Sequence, residues 1–261
     1  MTLEGWHDGR VAIVTGGGNG IGLSISRELL SRGATVVVGA RSLASPAARE
    51  ALTAELGKGC IALGLDVSDP ASVAAFAEQV AAAGPPPGIL VNNAGVSAHA
   101  RVSRHDDADW TRVIDINLTG SYRMIRHFLP AMLDAGWGRI VNIASTAART
   151  AVADHAAYCA SKAGLLGLTR AVALEGAPRG VTCIAVSPTW VETDMLRQSA
   201  ATMGAASGRG QGAEIAGIAA SNPQNRLVQP REVARVVSFV CSDAAPALTM
   251  EDIQVNAGAL W

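Results

Sequence analysis

The chain alternates between short apolar runs rich in β-branched residues and alanine-rich stretches whose apolar positions have helical spacing. Short apolar runs are typical of buried strands, whereas apolar residues that repeat every three to four positions indicate amphipathic helices. The pattern predicts strands at residues 10–15, 35–38, 60–65, 89–91, 139–143, 181–186 and 253–255. It predicts helices at residues 21–31, 46–56, 70–80, 109–133 and 153–174, and a last helix beginning near residue 230.

Strands and helices that alternate in this way form a parallel sheet with helices on both faces. Right-handed crossovers then give a Rossmann-type, doubly wound parallel sheet of about seven strands. No repeat or linker divides the sequence, so we predict one α/β domain over residues 1–261. Residues 193–229 break the alternation, and their glycine-rich centre predicts a long mobile lid or, alternatively, a plain surface loop.

Composition restricts the classes of function. The 21 basic and 22 acidic residues leave a net charge of −1 and form no basic run, which argues against a nucleic-acid partner. Charged residues make up only 16% of the chain, as expected if part of the surface is buried in a homo-oligomer. The four scattered cysteines fit reduced thiols, and the five histidines show no metal-binding spacing. Without a signal segment or a membrane-spanning apolar run, we predict a cytoplasmic protein.

A glycine-rich stretch follows the first predicted strand and precedes the first helix. It reads Thr-Gly-Gly-Gly-Asn-Gly-Ile-Gly over residues 15–22. Glycines in such a turn let the backbone approach a pyrophosphate, to which the helix N-terminus offers free N–H groups. A mononucleotide phosphate loop is excluded because Leu23 and Ser24 stand where that loop has lysine and serine or threonine. The candidate dinucleotide-binding residues are Gly16, Gly18, Asn19, Gly20, Ile21 and Gly22.

The end of the second predicted strand bears on the choice of cofactor. A carboxylate there would accept a hydrogen bond from the ribose 2′-hydroxyl and favour NAD(H). The sequence has Arg41-Ser42 instead, and Arg41 can pair with a 2′-phosphate, so NADP(H) is favoured and NAD(H) remains possible. Arg41 could also be only a solvated residue beyond a strand. Asp66-Val67 follows the third strand, where Asp66 either contacts the adenine edge or only caps the next loop.

Tyr158 and Lys162 lie four residues apart in a predicted helix and therefore share one helix face. A phenol beside an ammonium exchanges a proton more easily than a free phenol, whose pKa is about 10. Such pairs are also common on solvated helices, so the neighbouring residues must decide. Ser145 follows the preceding strand and can donate to an oxygen that gains charge. A hydrolase triad of Ser145, His155 and Asp154 is the rival interpretation, but no Gly-x-Ser-x-Gly elbow surrounds Ser145.

Two further motifs complete the set. Asn92-Asn93-Ala94-Gly95 follows the fourth predicted strand, and Asn117 lies in the long helix at residues 109–133. With the glycine turn and the residues Ser145, Tyr158 and Lys162, these motifs resemble the classical short-chain dehydrogenase/reductase family in order and spacing, over essentially the whole chain. Residues 140–146 and 190–193 are most similar to ketoreductases of 3-oxoacyl-thioester and polyketide type.

The resemblance implies an NAD(P)-dependent oxidoreductase that interconverts a ketone and a secondary alcohol, working as a dimer or tetramer. Tyr158 would be the general acid and base, and Lys162 would lower its pKa and hold the nicotinamide ribose. Ser145 would bind the substrate oxygen, and Asn117 would hold a water chain to Lys162. A 3-oxoacyl thioester or related ketone is the preferred substrate. The alternatives are an alcohol, sugar or steroid dehydrogenase, or a non-catalytic nucleotide sensor.

The resemblance also assigns further positions. Tyr158 and Lys162 are implied to contact the cofactor in addition to their catalytic roles. The other implied cofactor contacts, in addition to those named above, are Asn93, Ala94, Gly95, Pro188, Thr189, Val191 and Thr193. The candidate substrate residues are Ser145, Tyr158, Trp190, Met195 and Leu196. The last two are apolar lid side chains that suit a hydrophobic substrate, with core packing as the alternative. The family often has Pro-Gly where this chain has Pro188-Thr189, so we expect Thr189 to alter cofactor fit or substrate reach.

Overall fold

The computed structural model describes residues 5–259. Within them, the sheet has seven parallel strands in the spatial order β3-β2-β1-β4-β5-β6-β7, which confirms the predicted doubly wound topology. The strands are β1 (Val11–Thr15), β2 (Thr35–Ala40), β3 (Cys60–Gly64), β4 (Ile89–Asn92), β5 (Gly138–Ile143), β6 (Val181–Pro188) and β7 (Asp252–Val255). Open sheets of this kind bind ligands beyond the carboxyl ends of the strands, where the strand order reverses, here between β1 and β4.

Helices cover both faces of the sheet. They are α1 (Gly20–Ser31), α2 (Pro46–Leu56), α3 (Pro70–Ala83), α4 (Asp107–Ile114), α5 (Gly120–Ala135), α6 (Ala156–Gly176), α7 (Asp194–Ser207), α8 (Gln211–Ser221) and α9 (Pro230–Cys241). One core layer buries Ile25 of α1 and Val237 of α9, and the opposite layer buries Phe76 of α3 and Phe128 of α5. Because both faces are covered, the central strands β1, β4 and β5 are buried almost along their whole length.

Side-chain hydrogen bonds join the ends of β1 and β4. The hydroxyl oxygen of Thr15 accepts from the backbone N–H groups of Asn93 and Ala94, both at 3.0 Å. The side-chain amide of Asn93 in turn donates to the carbonyl oxygens of Thr15, at 2.9 Å, and Gly16, at 3.2 Å. These bonds fix the two strand ends on either side of the reversal point, where the glycine turn begins.

The prediction of an irregular segment at residues 193–229 is wrong. The segment folds into α7 and α8, joined by three residues in which Gly208 and Gly210 have φ of 73° and 80°. The glycines therefore end one helix and precede the next, because they adopt backbone angles that other residues avoid. The alanine-rich stretches on either side have high helix propensity, which outweighs the isolated glycines within them.

Two predicted helices differ from those observed. The helix predicted at residues 109–133 is interrupted by one π-helical turn, Asp115–Thr119, between α4 and α5. The helix predicted from residue 153 begins at Ala156 instead, because Asp154 adopts a left-handed φ of 64° and His155 is the N-cap. A residue in that conformation cannot continue a right-handed helix. By contrast, the helix predicted from residue 70 begins there, and Asp69 caps it by accepting from the backbone N–H of Ala71.

Candidate active site

The glycine turn between β1 and α1 is closely packed against the end of β4. Gly16 has a φ of 63°, and a Cβ there would lie 3.0 Å from the Cα of Ala94. A Cβ on Gly22 would overlap the carbonyl oxygen of Gly16 and the side-chain nitrogen of Asn93. A Cβ on Gly18, in contrast, would meet only the Ser42 hydroxyl at 4.0 Å. Two glycines therefore let the turn pack against its neighbours, and Gly18 leaves the outer side of the turn open.

One cavity of about 710 Å³ runs from this turn to the ends of β5 and β6. It brings together most of the residues that the sequence predicted. The predicted residues lining it are Gly16, Asn19, Gly20, Ile21, Arg41, Asn93, Ala94, Gly95, Ser145, Tyr158, Lys162, Pro188, Thr189, Trp190, Val191, Thr193, Met195 and Leu196. Those outside its lining are Gly18, Gly22, Ser42, Asp66, Val67 and Asn117.

Tyr158 and Lys162 lie on the face of α6 that points into the cavity, as their spacing predicted. The Lys162 ammonium nitrogen lies 5.7 Å from the centre of the Tyr158 ring and donates to the carbonyl oxygen of Ile143 at 2.6 Å. The Ser145 hydroxyl, just beyond the end of β5, lines the same wall close enough to Tyr158 to lower the pKa of the phenol, and its oxygen accepts from the backbone N–H of Ala147 at 3.1 Å. A phenol, a hydroxyl and an ammonium therefore meet at one wall of the cavity.

Burial sets the protonation states of this group. It raises the pKa of Tyr158 above its usual value, and the nearby Ser145 hydroxyl opposes that shift. Burial also lowers the pKa of Lys162 to about 8, because a low-dielectric site disfavours the ammonium. Near neutral pH the site therefore holds a protonated phenol beside a lysine that is still charged but has a lowered pKa.

Asn117 lies in the π-helical turn, outside the cavity lining, and its side chain bonds Val96, which lines the cavity, and Ser161, which does not. Its side-chain oxygen accepts from the backbone N–H of Val96 at 2.8 Å. Its amide nitrogen donates to the Val96 carbonyl at 2.9 Å and to the Ser161 hydroxyl at 3.0 Å. The side chain thus ties the segment after β4 to α6. The implied water chain from Asn117 to Lys162 stays a prediction.

The residues predicted to face the adenosine occupy different environments. Arg41 follows β2 and lines the cavity, and Ser42 is adjacent to it. The Asp66 carboxylate accepts from the backbone N–H and the hydroxyl of Ser68, which is the loop-capping alternative considered for it. Val67 is buried against Gly120, at which a Cβ would lie 2.7 Å from a Val67 methyl carbon. The adenine contacts of Asp66 and Val67 stay predictions.

The hydrolase triad does not form. His155 Nδ1 bonds the carbonyl oxygen of Ala153 at 2.8 Å and not the carboxylate of Asp154. No hydrogen bond in the described part of the chain joins His155 to Ser145. A charge-relay arrangement needs both contacts. Within residues 5–259, no group of three or more potential metal ligands is found, and no helix is long and apolar enough to cross a membrane.

Several cavity residues escaped the sequence analysis, above all His99, which lies against His155 with ring centroids 3.7 Å apart. The two histidines are far apart in the sequence, and no local motif links them. Other polar side chains at this end of the cavity are Ser97, Arg112, Thr150, Gln198, Ser199 and Thr202. The sequence signal available in advance was only their position after β4, after β5 or on α7.

The cavity fits a nicotinamide dinucleotide. Gly18 leaves the outer side of the glycine turn open. Asn19 is the N-cap residue of α1, but its side chain makes no capping hydrogen bond within residues 5–259. The first turn of α1 contains no acidic residue. Such an end offers N–H groups and positive dipole character to a pyrophosphate. Side-chain atoms of Ser97, His99 and Thr189 that line the cavity are buried without a hydrogen-bond partner in the described chain. Such polar atoms are typical of a ligand site.

Comparison with known proteins identifies the family. The sequence profile of the short chain dehydrogenase family matches residues 10–204. The chain is 36% identical over 251 residues to the 3-oxoacyl-[acyl-carrier-protein] reductase FabG of Escherichia coli K12, covering 96% of this chain and 97% of that protein. It is 39% identical over 259 residues to the enzyme of the same name from Pseudomonas aeruginosa, with 99% and 98% covered.

A third relative agrees with these two. The FabG of Vibrio harveyi is 37% identical over 263 residues, covering 99% of this chain and 98% of that protein. The family profile spans residues 10–204, and these relatives are matched over nearly the whole chain, so the predicted resemblance and enzyme class are confirmed. The chain belongs to the short-chain dehydrogenase/reductase family and is an NAD(P)-dependent oxidoreductase.

Proposed function

We propose that the protein interconverts a ketone and a secondary alcohol, that it prefers NADP(H), and that its substrate is a 3-oxoacyl thioester or a related ketone. The observation that carries the proposal is the convergence of Ser145, Tyr158 and Lys162 on one wall of a cavity that also reaches the glycine turn. Hydride chemistry needs a cofactor site and a proton donor in one enclosed space. This cavity provides both.

The residues divide the work as follows. The cofactor, when bound, supplies or removes the hydride at the substrate carbon. During reduction the carbonyl oxygen gains negative charge, and Ser145 and Tyr158 donate hydrogen bonds to it. Tyr158 then gives its phenolic proton to that oxygen, which completes the alcohol and leaves a phenolate. In the oxidative direction the same phenolate removes the hydroxyl proton.

The positive charge of Lys162 stabilises the phenolate form of Tyr158. Its ammonium lies 5.7 Å from the centre of the Tyr158 ring, close enough to stabilise negative charge in a dry site. Burial alone raises the pKa of Tyr158, so this positive charge is needed to bring proton exchange toward neutral pH. Because the pKa of Lys162 is about 8, the lysine is charged at neutral pH. We expect reduction to slow as the pH rises above that value.

The choice of NADP(H) rests on Arg41. It lines the cavity just after β2, and the short 3₁₀ helix that it begins, residues 41–44, contains no carboxylate. A guanidinium at this point binds a 2′-phosphate by charge-assisted hydrogen bonds, which NAD(H) cannot receive. NAD(H) is the alternative, and initial rates measured with NADPH and NADH distinguish the two.

The substrate class rests on the relatives and on the cavity. The relatives at 36–39% identity named above are 3-oxoacyl-[acyl-carrier-protein] reductases. Met195 on α7, which is 43% exposed, supplies flexible apolar surface that suits an acyl chain. Leu196 also reaches the cavity but is buried in one apolar cluster with Ile218 of α8, which is the core-packing alternative considered for it. A general alcohol, sugar or steroid dehydrogenase is the alternative within the family. A non-catalytic nucleotide sensor is the alternative outside it, but sensing would not need the Ser145 and Tyr158 hydroxyls.

We also propose that the protein is a homodimer or homotetramer. In the single chain, large apolar side chains are exposed on several helices, including Trp110 of α4, Leu174 of α6 and Phe239 of α9. Burial of such surface against another copy would remove it from water. Light scattering of the purified protein measures the mass directly, and a monomer at micromolar concentration would contradict the proposal.

The experiment that tests the function uses the two tyrosines of the chain. We expect Tyr158→Phe to lower kcat for ketone reduction by about 10²–10⁴-fold, because the proton donor is removed. Tyr122→Phe is the matched control, since Tyr122 is 47% exposed on α5 and outside the cavity. Its kcat should stay within about twofold of wild type, as for most surface substitutions. Steady-state oxidation of NADPH with a panel of acyl thioesters, cyclic ketones and aryl ketones provides the measurement.

The alternatives give different results. Binding of NADPH, followed by fluorescence, should be retained in Tyr158→Phe, because the phenol is one of many contacts. A protein that binds NADPH but reduces no ketone, whether Tyr158 is present or not, is a sensor. Turnover of steroids or sugars without turnover of acyl thioesters would contradict the substrate class and leave the reaction type intact.

A further inference from the structure

We propose that His99 and His155 form a subsite for a second, uncharged oxygen of the substrate, the carbonyl that a 3-oxoacyl thioester carries two carbons from its ketone. The inference rests on the proposed function and deepens it. Both histidines line the same cavity as Tyr158, and neither has a part in the proton transfer described above. They would therefore act on the choice of substrate.

The pair lies on the substrate side of the proton donor. The His99 and His155 rings approach edge to face, with centroids 3.7 Å apart and an angle of 68° between the ring planes. The His155 ring centroid is 6.4 Å from that of Tyr158 and 6.5 Å from that of Trp190. A substrate whose ketone reaches Tyr158 is thus close to the His155 ring, against which the His99 ring lies.

The backbone holds this pair in place at an energetic cost. Asp154 has a left-handed φ of 64°, which non-glycine residues rarely adopt. Its carbonyl oxygen accepts from the backbone N–H of Ala100 at 2.9 Å, and Ala100 forms an isolated β-bridge with His155. The segment after β4 and the segment after β5 are therefore joined at the point where the imidazoles meet. Strained residues held in this way cluster at functional sites.

The hydrogen bonds of the two rings leave nitrogen atoms for a ligand. His155 Nδ1 lies 2.8 Å from the Ala153 carbonyl oxygen, which can only accept, so Nδ1 carries the proton. His99 Nε2 is buried and has no partner within residues 5–259. In the same part of the chain, no hydrogen bond is made by His99 Nδ1 or His155 Nε2. The hydroxyl of Ser97, two residues before His99, is also buried without a partner there. Unpaired buried polar atoms are costly, and a substrate oxygen would relieve that cost.

The charge of the pair favours a neutral oxygen. Burial lowers the pKa of His99, the nearby His155 lowers it further, and Asp154 only partly opposes these effects. Two imidazoles this close disfavour a state in which both are protonated. A neutral His99 can carry its one proton on Nε2 and donate it to the ligand, whereas His155, whose proton is on Nδ1, can only accept at Nε2 and so serves to orient the His99 ring. A carbonyl oxygen needs a donor but no full positive charge, so a thioester carbonyl matches the pair better than a carboxylate does.

The test compares two substrates that differ in one group. The first is acetoacetyl-N-acetylcysteamine, and the second is the same molecule with the thioester carbonyl replaced by methylene. His99→Phe keeps an aromatic ring against His155 but removes both nitrogens. We expect it to lower kcat/KM for the thioester by about tenfold or more, and to leave the methylene analogue within about threefold of wild type. His99→Gln, which keeps a side-chain N–H donor, should restore much of the lost preference.

Each outcome has one consequence. An equal loss with both substrates, or an unchanged preference in His99→Phe, would overturn the subsite and leave the proposed function standing. A larger effect on free acetoacetate than on the thioester would overturn the assignment of an uncharged oxygen. A wild-type enzyme that reduces neither ketone with either cofactor would overturn the proposed function and this inference together. If His99→Phe does not fold, His99→Leu, which also lacks both nitrogens, allows the same comparison, and thermal unfolding shows which variants are intact.

Discussion

The two ends of the cavity are constructed differently. The nucleotide end is formed mainly by backbone: the glycine turn after β1 packs against the end of β4 through contacts that a single Cβ would destroy. The substrate end is formed by side chains from separate segments, with His99 after β4, His155 before α6, and Met195 on α7. Backbone geometry constrains the sequence at the first end. At the second end, side chains can change while the fold stays the same, which is how one fold serves many substrates.

Substitution of Gly22 tests the backbone packing of the nucleotide end. In Gly22→Ala the new methyl group overlaps the Gly16 carbonyl oxygen and the Asn93 amide. We expect the free energy of unfolding to fall by about 3 kcal/mol, because backbone atoms must move to make room. Gly18→Ala is the control from the same turn, where the new methyl group meets only a hydroxyl at 4.0 Å. Its change should stay within about 1 kcal/mol.

Urea unfolding of both variants without cofactor measures the two free energies. The absence of cofactor matters, because the comparison then reports on packing and not on binding. Equal destabilisation by the two substitutions would show that the close packing at Gly22 contributes no more to stability than the open position at Gly18. It would also remove the contrast between a backbone-built end and a side-chain-built end.

The same contrast explains what the sequence revealed. The strands, the glycine turn and the pair Tyr158 and Lys162 were predicted because their signals are local: apolar periodicity, glycine spacing and one helical turn. The helicity of α7 and α8 was missed because glycines were taken to mark an irregular segment, whereas Gly208 and Gly210 occupy only the turn between two helices. Local alanine content was the better guide there.

The remaining misses are non-local. The contact between His99 and His155 depends on the Ala100–Asp154 hydrogen bond, which joins segments that lie far apart in the sequence. Likewise, no pattern in residues 109–133 announced the π-helical turn at Asn117, whose side chain bonds Val96 and Ser161. Contacts between such distant segments form only when the chain folds, so a local sequence motif cannot predict them.

The second prediction concerns Lys162, where the two ends of the cavity meet. Its pKa in the folded protein is about 8, below the ordinary 10.5, so the folded state binds this proton less readily than the unfolded chain. The resulting penalty is fully present below pH 8 and disappears as the pH rises from 8 toward 10.5. Lys162→Met removes the buried charge but also the hydrogen bond to Ile143. We expect the variant to gain about 2 kcal/mol of stability at pH 7.

Urea unfolding at pH 7 and at pH 9.5 checks both the sign and the window. The advantage of Lys162→Met should shrink at the higher pH, because the wild-type lysine is then largely neutral in the folded state. Lys58→Met is the control, since Lys58 is exposed and should show no such dependence. A Lys162→Met protein less stable than wild type at pH 7 would mean that the ammonium is well solvated. Burial would then not be the cause of the lowered pKa of Lys162.

At the nucleotide end, Arg41 is the side chain that we propose distinguishes NADPH from NADH. We expect Arg41→Ala to raise KM for NADPH by about tenfold, or 1.4 kcal/mol, and to change KM for NADH by less than about twofold. Arg126→Ala is the matched control, because Arg126 is exposed on α5 and outside the cavity. Initial rates with one ketone and both cofactors give the values. A wild-type preference for NADH of more than about tenfold would contradict the role of Arg41. The nucleotide end would then select its cofactor through groups other than the Arg41 guanidinium.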